Sequence, residues 1–141
     1  TPAGSAAMPK ILTEAQIQDY RDHGYHFPVP ILSRTEAADF RRQLEDYESR
    51  TGGPIKGVYR HKAHLVFPWL NELIRHPKIL DVAEDVLGAN LFCWSTNFFI
   101  KEPATKAFVS WHQDATYWGL SSPDVLTVWL GFTASNLQAD A

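Results

Sequence analysis

The amino-acid sequence predicts an α+β domain in which the helices come first and the strands last. Helical periodicity with capping motifs fills residues 10–89. Residues 90–141 instead hold aromatic and β-branched runs, separated by segments that contain proline and serine. Strands and helices do not alternate, which argues against a parallel βαβ sheet. A chain of 141 residues is long enough for one domain with its own core.

Four helices are predicted in the first part. The helix from Thr13 to Gly24 and the helix from Ser33 to Arg50 each open on a capping box, with Gln or Glu three residues after the capping Thr or Ser. Residues 54–65 are predicted to be irregular. A short helix over 66–75 and a clearer one over 77–87 follow, the latter with proline at its first position and glycine after its last.

Three strands are predicted in the second part, over residues 91–101, 107–114 and 124–135. Three strands cannot close a barrel or a sandwich, so we expect the C-terminal part of the β half to be missing from this chain. Residues 1–9 are interpreted as a flexible leader, and residues 10–141 as a single domain.

Composition narrows the possible partners. Hydrophobic residues make up 45% of the chain and charged residues 21%, as in ordinary globular proteins, and the net charge is -3. Lys and Arg form no stripe that could follow a phosphate backbone, so we expect no nucleic-acid partner. No apolar run reaches transmembrane length and no signal peptide is recognised, so no membrane partner is expected. Cys93 is the single cysteine, which fits a reducing, cytoplasmic location.

The segment SWHQDATYWGL holds the most informative motif, His112-X-Asp114. Residues two apart on a strand point to the same face, so the imidazole and the carboxylate would converge. Together they supply two of the three protein ligands of a facial triad for non-haem Fe(II). The bare motif is weak, because a chain with six His and 16 acidic residues contains a His-X-acid pair about 0.7 times by chance. The alternative is a half-exposed polar pair on an ordinary strand.

The sequence around the motif gives it more weight. Five segments carry a resemblance over nearly the whole chain, and they are LTEAQIQDYRDHGY, ILSRTEAADFRRQLEDYE, HPKILDVAEDVLG, NFFIKEP and WHQDATYW. In this order they resemble the phytanoyl-CoA dioxygenase family of Fe(II)- and 2-oxoglutarate-dependent oxygenases. The last two, in their order and distance, are the most specific.

The resemblance implies a fold and an activity. N-terminal helices would pack on a double-stranded β-helix (a jelly roll, cupin-like) that is incomplete in this chain. His112 and Asp114 match the iron ligands of the family. The expected reaction is hydroxylation of a C–H bond of a small organic substrate, with consumption of O₂ and release of succinate and CO₂. Related halogenases have a small residue in place of Asp114, so hydroxylation is favoured over halogenation.

The resemblance also implies residues that bind the co-substrate 2-oxoglutarate. Asn97 lies on the strand that contributes polar contacts in the family, although it could simply bond to backbone. Trp129 resembles a tryptophan that packs beside the co-substrate, although it could belong to the core. Thr127, two residues earlier on the same predicted face, is a weaker candidate.

Four residues are candidates for substrate binding. Tyr117 and Trp118 follow the motif and would form an aromatic wall that excludes water, or could carry a cationic group; the alternative is ordinary hydrophobic cover. Lys62 and His64 belong to the basic segment YRHKAH and could meet an anionic ligand. The alternative for that segment is a solvated loop.

Two parts of the family pattern are absent, namely the second iron-binding His and the Arg that pairs with the far carboxylate of 2-oxoglutarate. We therefore expect this chain to be the N-terminal part of a longer member, and these residues alone to bind iron weakly without turnover. Three alternatives stay open: an inactive binding or scaffold module of the same fold, a related oxidative halogenase, and a Zn or Mn site in a cupin-like hydrolase.

Overall fold

The computed structural model describes residues 8–101 and 108–134 of the chain. Four helices lie in the first of these ranges and one short helix in the second. Most of the predicted leader, residues 1–7, lies outside the described residues, as do the first residue of the strand predicted from 107 and the last of the strand predicted to 135.

The first two helices begin where the capping boxes predicted. Helix α1 spans Glu14–His23 and helix α2 spans Arg34–Thr51. Before α2, the Ser33 hydroxyl accepts the backbone N–H of Glu36 at 3.2 Å, and the Glu36 carboxylate accepts the N–H of Ser33 at 2.7 Å. The reciprocal bonds before α1 have the same form. Both capping boxes are therefore confirmed.

The segment between α2 and the next helices is irregular, as predicted, but it is not featureless. Two 3-10 turns span Gly57–Arg60 and Ala63–Leu65. Helix α3 spans Pro68–Leu73 and helix α4 spans Pro77–Leu87, each with proline at its start. Proline suits this position because its missing N–H would have no helical partner there.

The core lies where α2, α3 and α4 meet the loops between them. The buried residues that form it are Ile31, Ile55, Ala63, Phe67, Leu70, Leu73 and Ile79. Two pairs from the second part of the chain pack against this core, Phe98 with Ile100 and Leu130 with Phe132. Members of each pair are two residues apart, which is the spacing of one face of an extended chain.

The predicted strands form no sheet among the described residues. Within residues 8–101 and 108–134 the β-type pairing consists of one antiparallel bridge, between His61 and Asn97. A short helix α5, Ala115–Trp118, follows the His-X-Asp motif. The incomplete jelly roll therefore stays a prediction.

A carboxylate on α4 fastens the start of the described chain. Asp85 accepts the backbone N–H groups of Lys10, Ile11 and Leu12 at 2.7, 2.9 and 2.8 Å. Desolvation raises the pKa of Asp85, but these three hydrogen bonds outweigh it and the pKa lies below its usual value. The N-terminal segment is thus tied to α4.

In the described part of the chain, no helix has both the length and the apolar character that crossing a membrane requires.

Candidate metal centre

His112 and Asp114 converge, although not on a strand. Asp114 occupies the position before α5, and the chain turns there, with the Tyr117 N–H donating to the Asp114 carbonyl at 3.0 Å. The His112 Nε2 atom lies 3.1 Å from Asp114 Oδ1. Within residues 108–134 the Asp114 side chain makes no capping bond to the helix. Its carboxylate therefore faces the imidazole.

The hydrogen bond on the other ring nitrogen sets the tautomer of His112. Nδ1 lies 2.8 Å from the Ser110 carbonyl oxygen, which can only accept, so Nδ1 carries a proton. In the neutral ring Nε2 then holds a lone pair directed at the carboxylate. Two acceptors at this distance need a proton or a metal cation between them.

The electrostatics of the pair agree with this geometry. The pKa of His112 lies above its usual value. The hydrogen bond to the Ser110 carbonyl is the largest cause, desolvation opposes it, and the Asp114 carboxylate raises the pKa further. The site therefore favours positive charge at the point where Nε2 and Oδ1 meet.

This donor set fits a first-row divalent metal. Neighbouring ligands about 2.1 Å from a metal and at right angles to each other lie about 3 Å apart, close to the 3.1 Å between Nε2 and Oδ1. A metal-bound His usually donates its second ring N–H to a carbonyl or a carboxylate, as His112 does to Ser110. Among the described residues, no group of three or more His, Cys, Asp or Glu is placed to hold a metal. The pair could therefore supply two ligands of such a metal.

The side chain of Thr127 contacts Asp114. Its hydroxyl donates to Asp114 Oδ2, the carboxylate oxygen that does not face His112. This bond fixes the rotation of the carboxylate and leaves Oδ1 for the imidazole side.

An aromatic group flanks the pair. The Tyr117 ring stands edge-on to His112 with the ring centroids 5.9 Å apart, and it is 74% exposed. The Trp118 ring lies 6.4 Å from the Trp94 ring, and the Lys62 ammonium sits 5.2 Å from the centroid of Trp94. Of the predicted substrate residues, Tyr117 and Trp118 thus lie in the helix that follows the motif. Lys62 contacts Trp94, which in turn contacts Trp118.

Asn97 lies at an open cleft of about 510 Å³. The cleft is lined by Gly57, Arg60, His61, Asn97, Phe98 and Phe99. The Asn97 Oδ1 atom accepts from His61 Nδ1 at 2.9 Å, so the partner of this amide is a side chain rather than backbone. The Arg60 guanidinium donates to the Phe98 carbonyl at 3.1 Å and holds the two walls together.

Trp129 does not line this cleft, but its ring contacts Phe99, which does. Its ring centroid lies 5.3 Å from that of Phe99, a residue of the cleft wall, and Trp129 is 70% exposed. Phe99 thus lines the cleft together with Asn97 and also contacts Trp129, the two co-substrate candidates. An exposed ring in this place does not belong to the core described above.

His64 occupies a different environment. It is 8% exposed, its Nδ1 lies 2.9 Å from the Thr96 hydroxyl, and its backbone N–H donates to the same oxygen at 3.1 Å. No hydrogen bond or ring contact among the described residues joins it to His112 or Asp114. Its substrate role stays a prediction.

The sequence did not single out Ser110, Trp94 or Phe99. Ser110 could have been found from its spacing, since it precedes His112 by two residues. Trp94 and Phe99 gave no such signal, because contacts between rings far apart in sequence leave no local pattern.

An imidazole and a carboxylate that converge, with an aromatic ring edge-on to the imidazole, are typical of a metal-dependent enzyme. The chain belongs to the phytanoyl-CoA dioxygenase family, whose model, described as Phytanoyl-CoA dioxygenase (PhyH), matches residues 3–140. The resemblance drawn from the sequence is therefore confirmed.

A curated relative is similar over much of the chain. It is the probable alpha-ketoglutarate-dependent hypophosphite dioxygenase of Stutzerimonas stutzeri, 28% identical over 130 residues. The match covers 80% of this chain and 45% of the relative, so the chain spans about half the length of that protein. No solved structure matches the chain.

Proposed function

We propose that the protein is an Fe(II)- and 2-oxoglutarate-dependent dioxygenase that hydroxylates a C–H bond of a small organic substrate. The observation that carries the proposal is the 3.1 Å approach of the lone-pair nitrogen of His112 to the Asp114 carboxylate. Membership of the phytanoyl-CoA dioxygenase family and the similarity to a probable alpha-ketoglutarate-dependent dioxygenase support the same class. Asp114 fills the position that is small in halogenases, which favours hydroxylation.

Each group at the site has a physical task in this proposal. His112 Nε2 and Asp114 Oδ1 would hold the iron, and a third protein ligand would come from outside the described residues. The Ser110 carbonyl orients the imidazole and the Thr127 hydroxyl orients the carboxylate. When bound, iron with 2-oxoglutarate and O₂ supplies the oxidising chemistry, with succinate and CO₂ as products.

In this proposal 2-oxoglutarate binds at the cleft of Asn97, and the substrate binds beside Tyr117 and Trp118. Asn97 offers its amide N–H₂ to 2-oxoglutarate, because its oxygen is already bonded to His61. Trp129 would cover the co-substrate from the side of Phe99. Next to His112, Tyr117 and Trp118 would exclude water from the substrate.

The experiment follows O₂-dependent conversion of 2-oxoglutarate to succinate by the full-length protein with Fe(II) and a panel of small substrates, hypophosphite among them. His112→Ala is expected to abolish succinate formation. His23→Ala is the matched control, because His23 is exposed and bonds to Asp19 of its own helix. Succinate formation that survives in His112→Ala would contradict the proposal. Binding of 2-oxoglutarate without turnover on any substrate would favour the inactive binding module.

A further inference from the structure

Helix α5 is too short to be stable by itself. It is a single turn, Ala115–Trp118, and in the described part of the chain none of its residues is buried. An isolated helix of this length does not persist in water, because too few hydrogen bonds repay the cost of ordering its backbone. The position of α5 therefore depends on side-chain contacts with other parts of the chain.

One such contact joins α5 to Trp94, which lies in the other described range of the chain. The rings of Trp94 and Trp118 have centroids 6.4 Å apart and planes 31° apart. Aromatic pairs of this kind stabilise by more than the apolar area that they bury. Trp118 is the last residue of α5, so the contact holds the end of the helix that is farther along the chain from Asp114.

Trp94 is itself connected to the core. The Lys62 ammonium lies 5.2 Å from the centroid of the Trp94 ring, within the range of a cation–π contact. Two residues after Trp94, the Thr96 hydroxyl accepts the backbone N–H of the buried His64 at 3.1 Å. His64 follows the core residue Ala63 in the same 3-10 turn. Trp94 thus belongs to a segment that is fixed to the core, and it offers α5 a surface to pack on.

The start of α5 is continuous with the candidate metal ligand Asp114. The φ and ψ angles of Asp114 are helical, at -57° and -40°, and its carbonyl accepts the N–H of Tyr117 at 3.0 Å. The Tyr117 ring also lies edge-on to His112. A movement of α5 would therefore change the direction of the Asp114 carboxylate and the surroundings of the imidazole.

We propose that Trp94 is a positioning residue for the metal site, on which it acts through Trp118 and α5. Because Trp94 holds the end of the helix, Asp114 has less freedom to lose when a metal binds. A ligand group that is already in place binds at a lower entropic cost, which raises the affinity. This inference rests on the proposed function for the identity of the metal. The contact between Trp94 and α5 is independent of the reaction.

The first measurement is the dissociation constant of Fe(II), by anaerobic titration of the full-length protein. Trp94→Leu is expected to raise it about threefold to tenfold, the range that corresponds to the loss of one aromatic pair. Trp94→Phe retains a ring and is expected to show a smaller rise. Phe92→Leu is the matched control and is expected to leave the constant unchanged, because Phe92 is exposed and its observed ring contact is with Trp94 itself.

A double-mutant cycle tests whether the effect of Trp94 passes through Trp118. Trp118→Leu is expected to raise the dissociation constant at least as much as Trp94→Leu, and the double variant no more than the larger single change. Additive rises would contradict the inference. So would a Trp94→Leu protein that unfolds at lower urea concentration but binds Fe(II) as tightly as the unchanged protein, since Trp94 would then support the fold alone.

A second measurement needs no metal and follows the position of α5. In the metal-free full-length protein labelled with fluorotyrosine, the fluorine NMR signal of Tyr117 is identified by its loss in Tyr117→Phe. This signal is expected to move in Trp94→Leu and to stay in place in Phe92→Leu. A Tyr117 signal that Trp94→Leu leaves unchanged would overturn the inference even if the enzyme forms succinate. Fe(II) affinity that depends on Trp94 in a protein that forms no succinate would support the inference and contradict the dioxygenase.

Discussion

The hydroxyl of Thr127 donates a hydrogen bond to the second oxygen of the Asp114 carboxylate, the one turned away from His112. The two residues are thirteen positions apart in sequence, so this contact joins the motif to the last predicted strand. The sequence predicts that Thr127 binds 2-oxoglutarate, and that role stays a prediction. The observed contact of its hydroxyl is with the candidate iron ligand Asp114, and we expect it to fix the position of that carboxylate.

Thr127→Val is expected to weaken Fe(II) binding by about tenfold to a hundredfold, because the carboxylate loses the bond that fixes its rotation. Thr127→Ser keeps the hydroxyl and should bind nearly as well as the unchanged protein. Titration with Fe(II) under anaerobic conditions measures the dissociation constants. Metal affinity that is the same with Val as with Thr would show that the bond does not support the ligand.

Trp129→Ala is expected to raise the dissociation constant of 2-oxoglutarate by about tenfold, because a stacked aromatic surface beside the ligand is lost. Fe(II) affinity should not change, since the observed ring partner of Trp129 is Phe99. Trp129→Phe retains part of the surface and should show a smaller effect. A loss of iron binding that equals the loss of 2-oxoglutarate binding would place Trp129 in the scaffold instead.

Asp85→Asn should lower the free energy of unfolding by about 1 kcal/mol at neutral pH, because three backbone N–H groups lose a charged acceptor. The folded pKa of Asp85 is lowered, so its contribution is present above the unfolded pKa of about 4 and is lost as pH falls through the folded value. Urea unfolding at pH 7 and pH 3 measures the difference.

The difference in free energy of unfolding between Asp85→Asn and the unchanged protein should therefore be smaller at pH 3 than at pH 7. Asp81→Asn is the matched control on the same helix, because Asp81 forms an exposed ion pair with Lys10 and such pairs contribute little. A difference between Asp85→Asn and the unchanged protein that stays constant between the two pH values would contradict the assigned cause.

The helical half could be predicted closely because its signals are local. The capping boxes at Thr13 and Ser33 place the starts of α1 and α2, and each bond involves residues three apart. Helix α5 was not predicted, because ATYW has the aromatic character of a strand and its helix is only one turn long. The sheet is a non-local structure, and residues 8–101 and 108–134 give one bridge of it.

The candidate site divides in the same way. The closeness of His112 and Asp114 could be predicted because they are two residues apart. The contacts of Thr127 with Asp114, of Trp94 with Lys62 and of Phe99 with Trp129 join distant segments. Only the folded chain reveals them.

The most direct test of the metal site is the visible spectrum of the full-length protein with Fe(II) and 2-oxoglutarate in the absence of O₂. A weak charge-transfer band is expected, since 2-oxoglutarate bound to Fe(II) absorbs visible light. Asp114→Ala should abolish the band. Asp124→Ala, which removes an aspartate bonded to Ser122, should retain it. A band of unchanged intensity in Asp114→Ala would contradict the assignment of Asp114, and with it the proposed iron site.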